Sequence, residues 1–391
     1  MIIVADANIV DVTDTYRQHG ELRLLNGREI CARDVADADA LLVRSITRVN
    51  AELLKDSPLR FVATATSGTD HLDLAYLRSR GIQVCDAAGS NANAVAEYVL
   101  CVLAQLSVRN AALDLGKGPV GIVGFGHVGQ ALYRKLSALG ISCCLCDPFM
   151  ENDFPQLAFT KLEEVMACPV VSLHTPLTRE GSHPTFHMLN AAMLSRLPRN
   201  AVLINAARGE LLATDVLSSF LRERRDVHVV LDCWEGEPQI DISLLNLVSL
   251  GTPHIAGYSQ QAKRAASQSN YRDFLEFFHL QDARQQTHGG SSDLCRDMVA
   301  TTETDPWRLL MQILQQVFYV ADIDARLRGS GEGANAALFD RIRRELGSRQ
   351  EFSAYTLVLD HWTEQQRSPQ LLTWLHALGF AVTPGHTEKG C

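Results

Sequence analysis

The sequence predicts an α/β protein of two parallel-sheet units in tandem, followed by a small α+β unit. Three observations carry this. Short apolar runs alternate with helix-length amphipathic stretches, a glycine-rich turn opens the second such series, and the texture changes after about residue 283. At 391 residues the chain exceeds one ordinary core, and domains of ~150 residues suggest two or three.

Apolar runs at 2–5, 40–43, 61–65 and 83–85 suit strands of a parallel sheet covered on both faces. A long helix is expected after Ser90, because Val95, Val99, Val102, Leu103 and Leu106 share one helical face. Residues 114–119, rich in chain breakers, mark a hinge or boundary. The second series places strands at 120–123, 142–146, 170–174, 201–205, 227–232 and 247–250. Residues 283–293 are polar, with Gly289 and Gly290 in tandem, and read as a linker. Beyond it, helices are expected over 307–320 and 334–346, and strands over 355–359 and 380–382.

Composition excludes several functions. Basic residues number 36 and acidic ones 45, a net charge of −9, so the chain as a whole attracts neither nucleic acid nor anionic lipid. An anionic substrate would need a few local arginines and backbone N–H groups. The first residues lack a basic segment, and Asp6 and Asp11 interrupt their apolar run, so they read as a strand rather than a signal peptide. No run approaches the ~18 apolar residues that cross a bilayer. Ten cysteines without an export signal point to a cytoplasmic protein with free thiols. The Cys-x-x-Cys at Cys143–Cys146 lies in a strand-like run, away from a helix N-terminus that would acidify a thiol, and reads as structural. No metal site is expected.

Gly124, Gly126 and Gly129 form G-x-G-x-x-G, with His127 and Val128 between the last two. Alone the motif is weak, but here an apolar strand precedes it and a helix over 130–139 follows. A second strand then ends in Asp147, eighteen residues after Gly129, where an acid meets an adenosine ribose. The glycines let the backbone approach a pyrophosphate at the helix N-terminus. Pro148 and Phe149 follow Asp147 with no arginine, which favours NAD over NADP.

Downstream strands end in four punctuated segments, carrying His174-Thr175, Asn205-Ala206-Ala207-Arg208-Gly209, Asp232 with Glu237-Pro238, and Pro253-His254 with Gly257 and Tyr258. Singly, such residues are more often structural than catalytic. Together they supply a cation, a carboxylate and an imidazole. Oxidising a 2-hydroxy acid requires removal of the hydroxyl proton as the C2 hydride departs. His254 suits that task, Glu237 would fix its tautomer, and Arg208 would hold the substrate carboxylate. Thr175 and Asp232 are assigned to the cofactor.

The fingerprint, the Asn205–Gly209 segment, Glu237-Pro238 and Pro253-His254 resemble the D-isomer-specific 2-hydroxyacid dehydrogenase family over roughly residues 1–280. The resemblance implies two Rossmann-like domains with the active site in the cleft between them, and Arg208, Glu237 and His254 as the catalytic trio. It implies NAD contacts at Gly124, Gly126, His127, Val128, Gly129, Asp147, Thr175, Ala206, Ala207, Arg208, Asp232 and Gly257. The corresponding domains are 1–95 for substrate, 96–256 for NAD, a return segment over 257–285, and a C-terminal dimerisation domain over 286–391.

Within the family, Ala5-Asp6-Ala7-Asn8, Val43-Arg44-Ser45, the segment 63–73 and Tyr258 resemble a branch that acts on a phosphorylated four-carbon hydroxy acid in vitamin B6 synthesis. That resemblance implies a homodimer and substrate contacts from Ser45, Thr66 and Tyr258. The phosphate needs a cationic pocket, for which Arg44 is the first candidate. Arg341, Arg343, Arg344 and Arg349 could reach a neighbouring subunit's site but read more simply as a solvated face. One departure from the family is Ala213-Thr214, where many members carry an acidic pair. The alternatives are a 3-phosphoglycerate or glyoxylate/hydroxypyruvate enzyme and an NAD-sensing, corepressor-like binding protein.

Overall fold

The computed structural model describes residues 1–109, 118–282, 294–299, 301–329 and 336–383. The expected linker over 283–293, and residues 114–117 of the expected hinge, lie outside them. The chain divides into two compact units, Met1–Asn91 with Ser259–Gly290, and Ala92–Tyr258 with Ser291–Cys391.

The first unit holds β1 (Ile2–Asp6), β2 (Glu21–Leu25), β3 (Ala40–Val43), β4 (Phe61–Thr64) and β5 (Gln83–Asp86), all parallel in the order β2-β1-β3-β4-β5. Strand alternation sorts its apolar residues onto two faces. Val4, Leu41, Val43 and Val62 pack on one side with Val49 and Leu54. Ile3, Ala5, Leu42, Phe61 and Ala63 pack on the other against Tyr271 and Phe274 of the helix Gln260–Phe278. Ser259 caps that helix, its side chain accepting from the Ala262 N–H at 2.9 Å. Strand β2 escapes prediction because it is a part-exposed edge with a polar alternation rather than an apolar run.

The second unit holds β6 (Val120–Val123), β7 (Cys143–Cys146), β8 (Val170–Leu173), β9 (Val202–Asn205), β10 (His228–Leu231) and β11 (Leu250–Gly251). These strands are parallel, in the order β11-β10-β9-β8-β6-β7. The helix Ala92–Arg109 buries Val95, Val99, Val102, Leu103 and Leu106. Cys143, Cys144 and Cys146 lie on β7, and burial raises all three thiols, Cys143 to about 12.

The C-terminal segment adds a small parallel sheet of β12 (Leu294–Asp297), β13 (Tyr355–Val358) and β14 (Ala381–Val382). It shares one core with the second unit, because its helix Pro306–Val317 lays Leu310, Ile313 and Leu314 into the cluster that contains Val99 and Leu103. The helix expected over 307–320 is broken at Phe318, and a second helix runs Val320–Arg328. A buried polar set also joins the segment to the long helix. Glu97 accepts from Asn93, Lys135 and the Phe352 N–H, while Asn93 also donates to Glu351. Desolvation raises the Glu97 pKa to about 7, against the pull of Lys135.

Candidate active site

Strand order in the second unit reverses between β6 and β8, so the loops leaving their C-terminal ends diverge into a crevice. Gly124 follows β6 at φ +92°, and a Cβ there would lie 2.7 Å from the His174 backbone beyond β8. A Cβ at Gly129 would lie 2.1 Å from the Gly124 carbonyl oxygen. At Gly126, the N-cap of the helix His127–Ala138, a Cβ would meet nothing within 4 Å. Two glycines are therefore required by contacts inside the protein, while the third faces open space at a helix N-terminus. That pattern fits a dinucleotide pyrophosphate.

Around the crevice, His127 is exposed and Val128 half-buried. Asp147 is fixed at the end of β7 by the N–H groups of Phe125 (2.7 Å) and Phe149 (3.0 Å), and each oxygen keeps a lone pair for a ribose hydroxyl. Thr175 is half-buried beside Met188. Its neighbour His174 bonds Ser172 at 2.9 Å, and burial lowers its pKa to about 3, so this histidine stays neutral.

Strand β9 ends in Asn205, whose fully buried amide shapes the next loop. It donates to the Arg208 carbonyl (2.7 Å) and accepts from the Ala207 N–H (3.1 Å). Arg208 stands half-buried with Nη1 on the Ala207 carbonyl at 2.8 Å. Ala206 is half-buried and Ala207 buried in the same turn. Gly209 admits no side chain, since a Cβ would lie 2.0 Å from the Trp234 carbonyl carbon. The Arg208 loop is thereby seated on the loop that carries Glu237.

Glu237 precedes a cis proline and accepts from the Trp234 N–H at 3.1 Å through Oε2. Its Oε1 bonds His254 Nδ1. Burial opposes the charge on both partners, yet their attraction prevails, so Glu237 is lowered and His254 raised well above its ordinary value. Cys233 also neighbours His254, but burial raises its own pKa, so the thiol is neutral and Glu237 supplies the negative charge.

His254 itself has φ +52°. A clamp holds this left-handed turn from two sides. Asp232, fully buried, accepts from the N–H groups of Ile255 (2.8 Å) and Ala256 (2.9 Å) and from Thr252 Oγ1 (2.6 Å). Arg349, from the C-terminal segment, donates to the carbonyls of Ile255 (3.4 Å) and Ala256 (3.1 Å), and to that of Ala94 (2.6 Å). Asp232, assigned to the cofactor from the sequence, also anchors the His254 loop from within. Arg349 is no solvated charge, whereas Arg341 and Arg344 are exposed. Nothing in the sequence pairs Asp232 with Arg349, because their partners are backbone groups. Gly257 and Tyr258, both half-buried, close the loop.

In the first unit, Arg44 and Ser45 follow β3 and Thr66 lies just beyond β4. Ser45 is exposed, and the Thr66 hydroxyl bonds Thr64 (2.8 Å) and the Gly68 carbonyl (3.2 Å). Arg44 already has a carboxylate partner. Its Nε and Nη2 bond the carboxylate of Asp6, which is wholly buried, at 2.8 and 3.3 Å. Its charge is therefore already compensated.

A dinucleotide crevice on a parallel sheet, with an arginine, a carboxylate and a histidine on neighbouring strand ends, defines an NAD-dependent 2-hydroxyacid dehydrogenase. The family described as D-isomer specific 2-hydroxyacid dehydrogenase, NAD binding domain, matches residues 104–256. The structure of D-lactate dehydrogenase from Aquifex aeolicus, complexed with NAD and lactic acid, shares the fold at a TM-score of 0.62 and 22% identity, over 71% of this chain and 96% of that one. The erythronate-4-phosphate dehydrogenase of Cellvibrio japonicus is 41% identical, covering 97% of this chain and 99% of the relative. That of Pseudomonas entomophila is 40% identical, covering 97% and 98%. The chain belongs to the erythronate-4-phosphate dehydrogenase family.

Proposed function

We propose that the protein oxidises 4-phospho-D-erythronate at C2 to (R)-3-hydroxy-2-oxo-4-phosphooxybutanoate, a step of vitamin B6 biosynthesis. The observation that carries this is the His254–Glu237 pair beside Arg208, on strand ends that flank a dinucleotide crevice. When bound, NAD accepts the C2 hydrogen with its electron pair. His254 turns Nδ1 to Glu237, which leaves Nε2 to take the C2 hydroxyl proton. Glu237 stabilises the imidazolium that results. Arg208 suits the substrate carboxylate and the C2 oxygen, where a planar guanidinium binds two acceptors at once. Ser45, Thr66 and Tyr258 would complete substrate binding.

A cytoplasmic homodimer is the rest of this reading. Among the described residues no helix is long and apolar enough to cross a membrane. Val108, Val299 and Tyr319 are exposed around one shallow cavity of the second unit, a face that a second copy would cover. Light scattering tests this, since a monomer at micromolar concentration would refute the dimer.

The activity is tested by incubating the protein with NAD, a 2-oxo acid acceptor, and either 4-phospho-D-erythronate or D-3-phosphoglycerate, with the oxo product read by mass spectrometry. Preference for the first, abolished in His254→Ala, is the expected result. Preference for phosphoglycerate would overturn the substrate, and turnover of neither would overturn the reaction.

A further inference from the structure

Arg343 lies on the helix Ala336–Glu345 of the C-terminal segment, one turn after Phe339. Its guanidinium carbon stands 5.2 Å from the ring centre of Tyr258 and 5.9 Å from that of Phe339. Its Nε is buried and has no hydrogen-bond partner. Among the described residues, no carboxylate forms an ion pair with it. A half-buried cation in this condition is costly unless an anion joins it. Stacking on aromatic faces occupies the flat sides of a guanidinium and leaves the donors along its edge available to a tetrahedral oxyanion.

The place matters as much as the state. Tyr258 lies four residues beyond His254, and the Arg343 charge is one of the influences that lower Glu237. The cation therefore borders the proposed reaction centre within the second unit. Arg44, the expected phosphate ligand, is by contrast neutralised by Asp6. A substrate with a carboxylate at one end and a phosphate at the other needs a second cation besides Arg208.

We propose that Arg343 receives the phosphate group of the substrate, so that the C-terminal segment supplies this chain's selectivity for a phosphorylated over an unphosphorylated 2-hydroxy acid. This rests on the proposed reaction for its kinetic consequence but not for its binding consequence.

The test compares the wild type with Arg343→Gln and Arg343→Lys in the full-length, NAD-loaded protein. Isothermal titration with inorganic phosphate is the first readout. Wild type binds, Gln weakens binding on the order of 10- to 100-fold, and Lys weakens it less, as expected when charged hydrogen bonds are lost. The second readout is the ratio of kcat/KM for 4-phospho-D-erythronate over D-erythronate, which falls by a similar factor in Arg343→Gln, chiefly through KM. Absence of phosphate binding in the wild type, or equal affinity in Arg343→Gln, overturns the proposal. An equal loss on both substrates also overturns it, because it would mean that Arg343 only positions Tyr258 or Glu237. If neither hydroxy acid is oxidised while phosphate binding still depends on Arg343, the reaction is wrong and the anion site stands.

Discussion

Two histidine–glutamate pairs occupy the second unit, and their carboxylates are only two residues apart. His254 bonds Glu237, and His187 bonds Glu235 at 2.6 Å. Both histidines sit in left-handed turns, at φ +52° and +50°. What differs is where each pair directs its remaining atoms. Glu235 accepts from the Thr214 N–H at 2.9 Å, the first residue of the helix Thr214–Glu223, whose N-cap Ala213 offers no side-chain acceptor. His187 lies flat against Phe186, with ring centres 3.9 Å apart, and its N–H bonds the Glu210 carbonyl. That pair is a strut. The Glu237 pair lies on the loop seated against Gly209, and its imidazole is the one to which we assign the proton transfer. The same donor–acceptor couple thus stands in two different surroundings, and on the proposed reaction only one of them does chemistry.

The largest effect should separate the two histidines outright. Replacing His254 by Gln removes the base, and kcat should fall by about 10²–10⁴ with little change in melting temperature. The same change at His187 should leave kcat within about tenfold and lower the melting temperature by a few degrees. Steady-state kinetics and calorimetry on both variants read this, and comparable kcat losses would erase the distinction.

The carboxylates separate by pH. Because Glu237 raises the His254 pKa, the free enzyme keeps the imidazolium to higher pH than an ordinary histidine would, and the base is present only above the raised pKa. Oxidation should therefore accelerate as pH rises through that value, and reduction of the 2-oxo acid should slow. In Glu237→Gln the limb moves to lower pH, with a kcat/KM loss of about 10- to 100-fold at its plateau. Glu235→Gln should leave the limb in place. A limb that moves in both variants, or in neither, would place the titration elsewhere.

Much of this was legible in the residues. Continuous apolar runs announce strands covered on both faces, and Gly124, Gly126 and Gly129 announce a turn whose contacts leave no space for side chains at two of the three positions. Arg208, Glu237 and His254 stand out because each follows a strand, and the structure joins Glu237 to His254. The clamp was not legible. Asp232 and Arg349 act on the N–H and C=O groups of Ile255 and Ala256, which every residue type shares, so no side-chain pattern records it. The Arg44–Asp6 pair was hidden for a related reason: Asp6 lies 38 positions away, on an adjacent strand, and only the register of β1 against β3 brings them together.

That clamp yields a smaller, graded effect. Arg349→Met should cut kcat by about tenfold while leaving KM for NAD unchanged, because it loosens the turn that aims His254 and not the crevice. Partial recovery of kcat by millimolar guanidinium would mark a positioning role. Equal losses in kcat and cofactor affinity would instead mean that the C-terminal segment has come away as a whole.

The smallest effect concerns the strut. Glu235→Gln keeps an acceptor for Thr214 but removes the negative charge facing the helix N-terminus, whereas Glu235→Ala removes both. Loss of a helix cap typically costs 0.5–2 kcal/mol, and the charge at a part-exposed terminus about 0.3–1 kcal/mol. Stability by urea unfolding should therefore rank wild type above Gln above Ala. Restoring a local cap with Ala213→Asp in the Glu235→Ala background should recover most of the loss, since the introduced carboxylate would meet the same orphan N–H groups from the N-cap position itself. Recovery would establish that Glu235 substitutes for the missing cap. Failure to recover, with His187→Gln as destabilising as Glu235→Ala, would locate the stabilisation in the ion pair instead of the helix end.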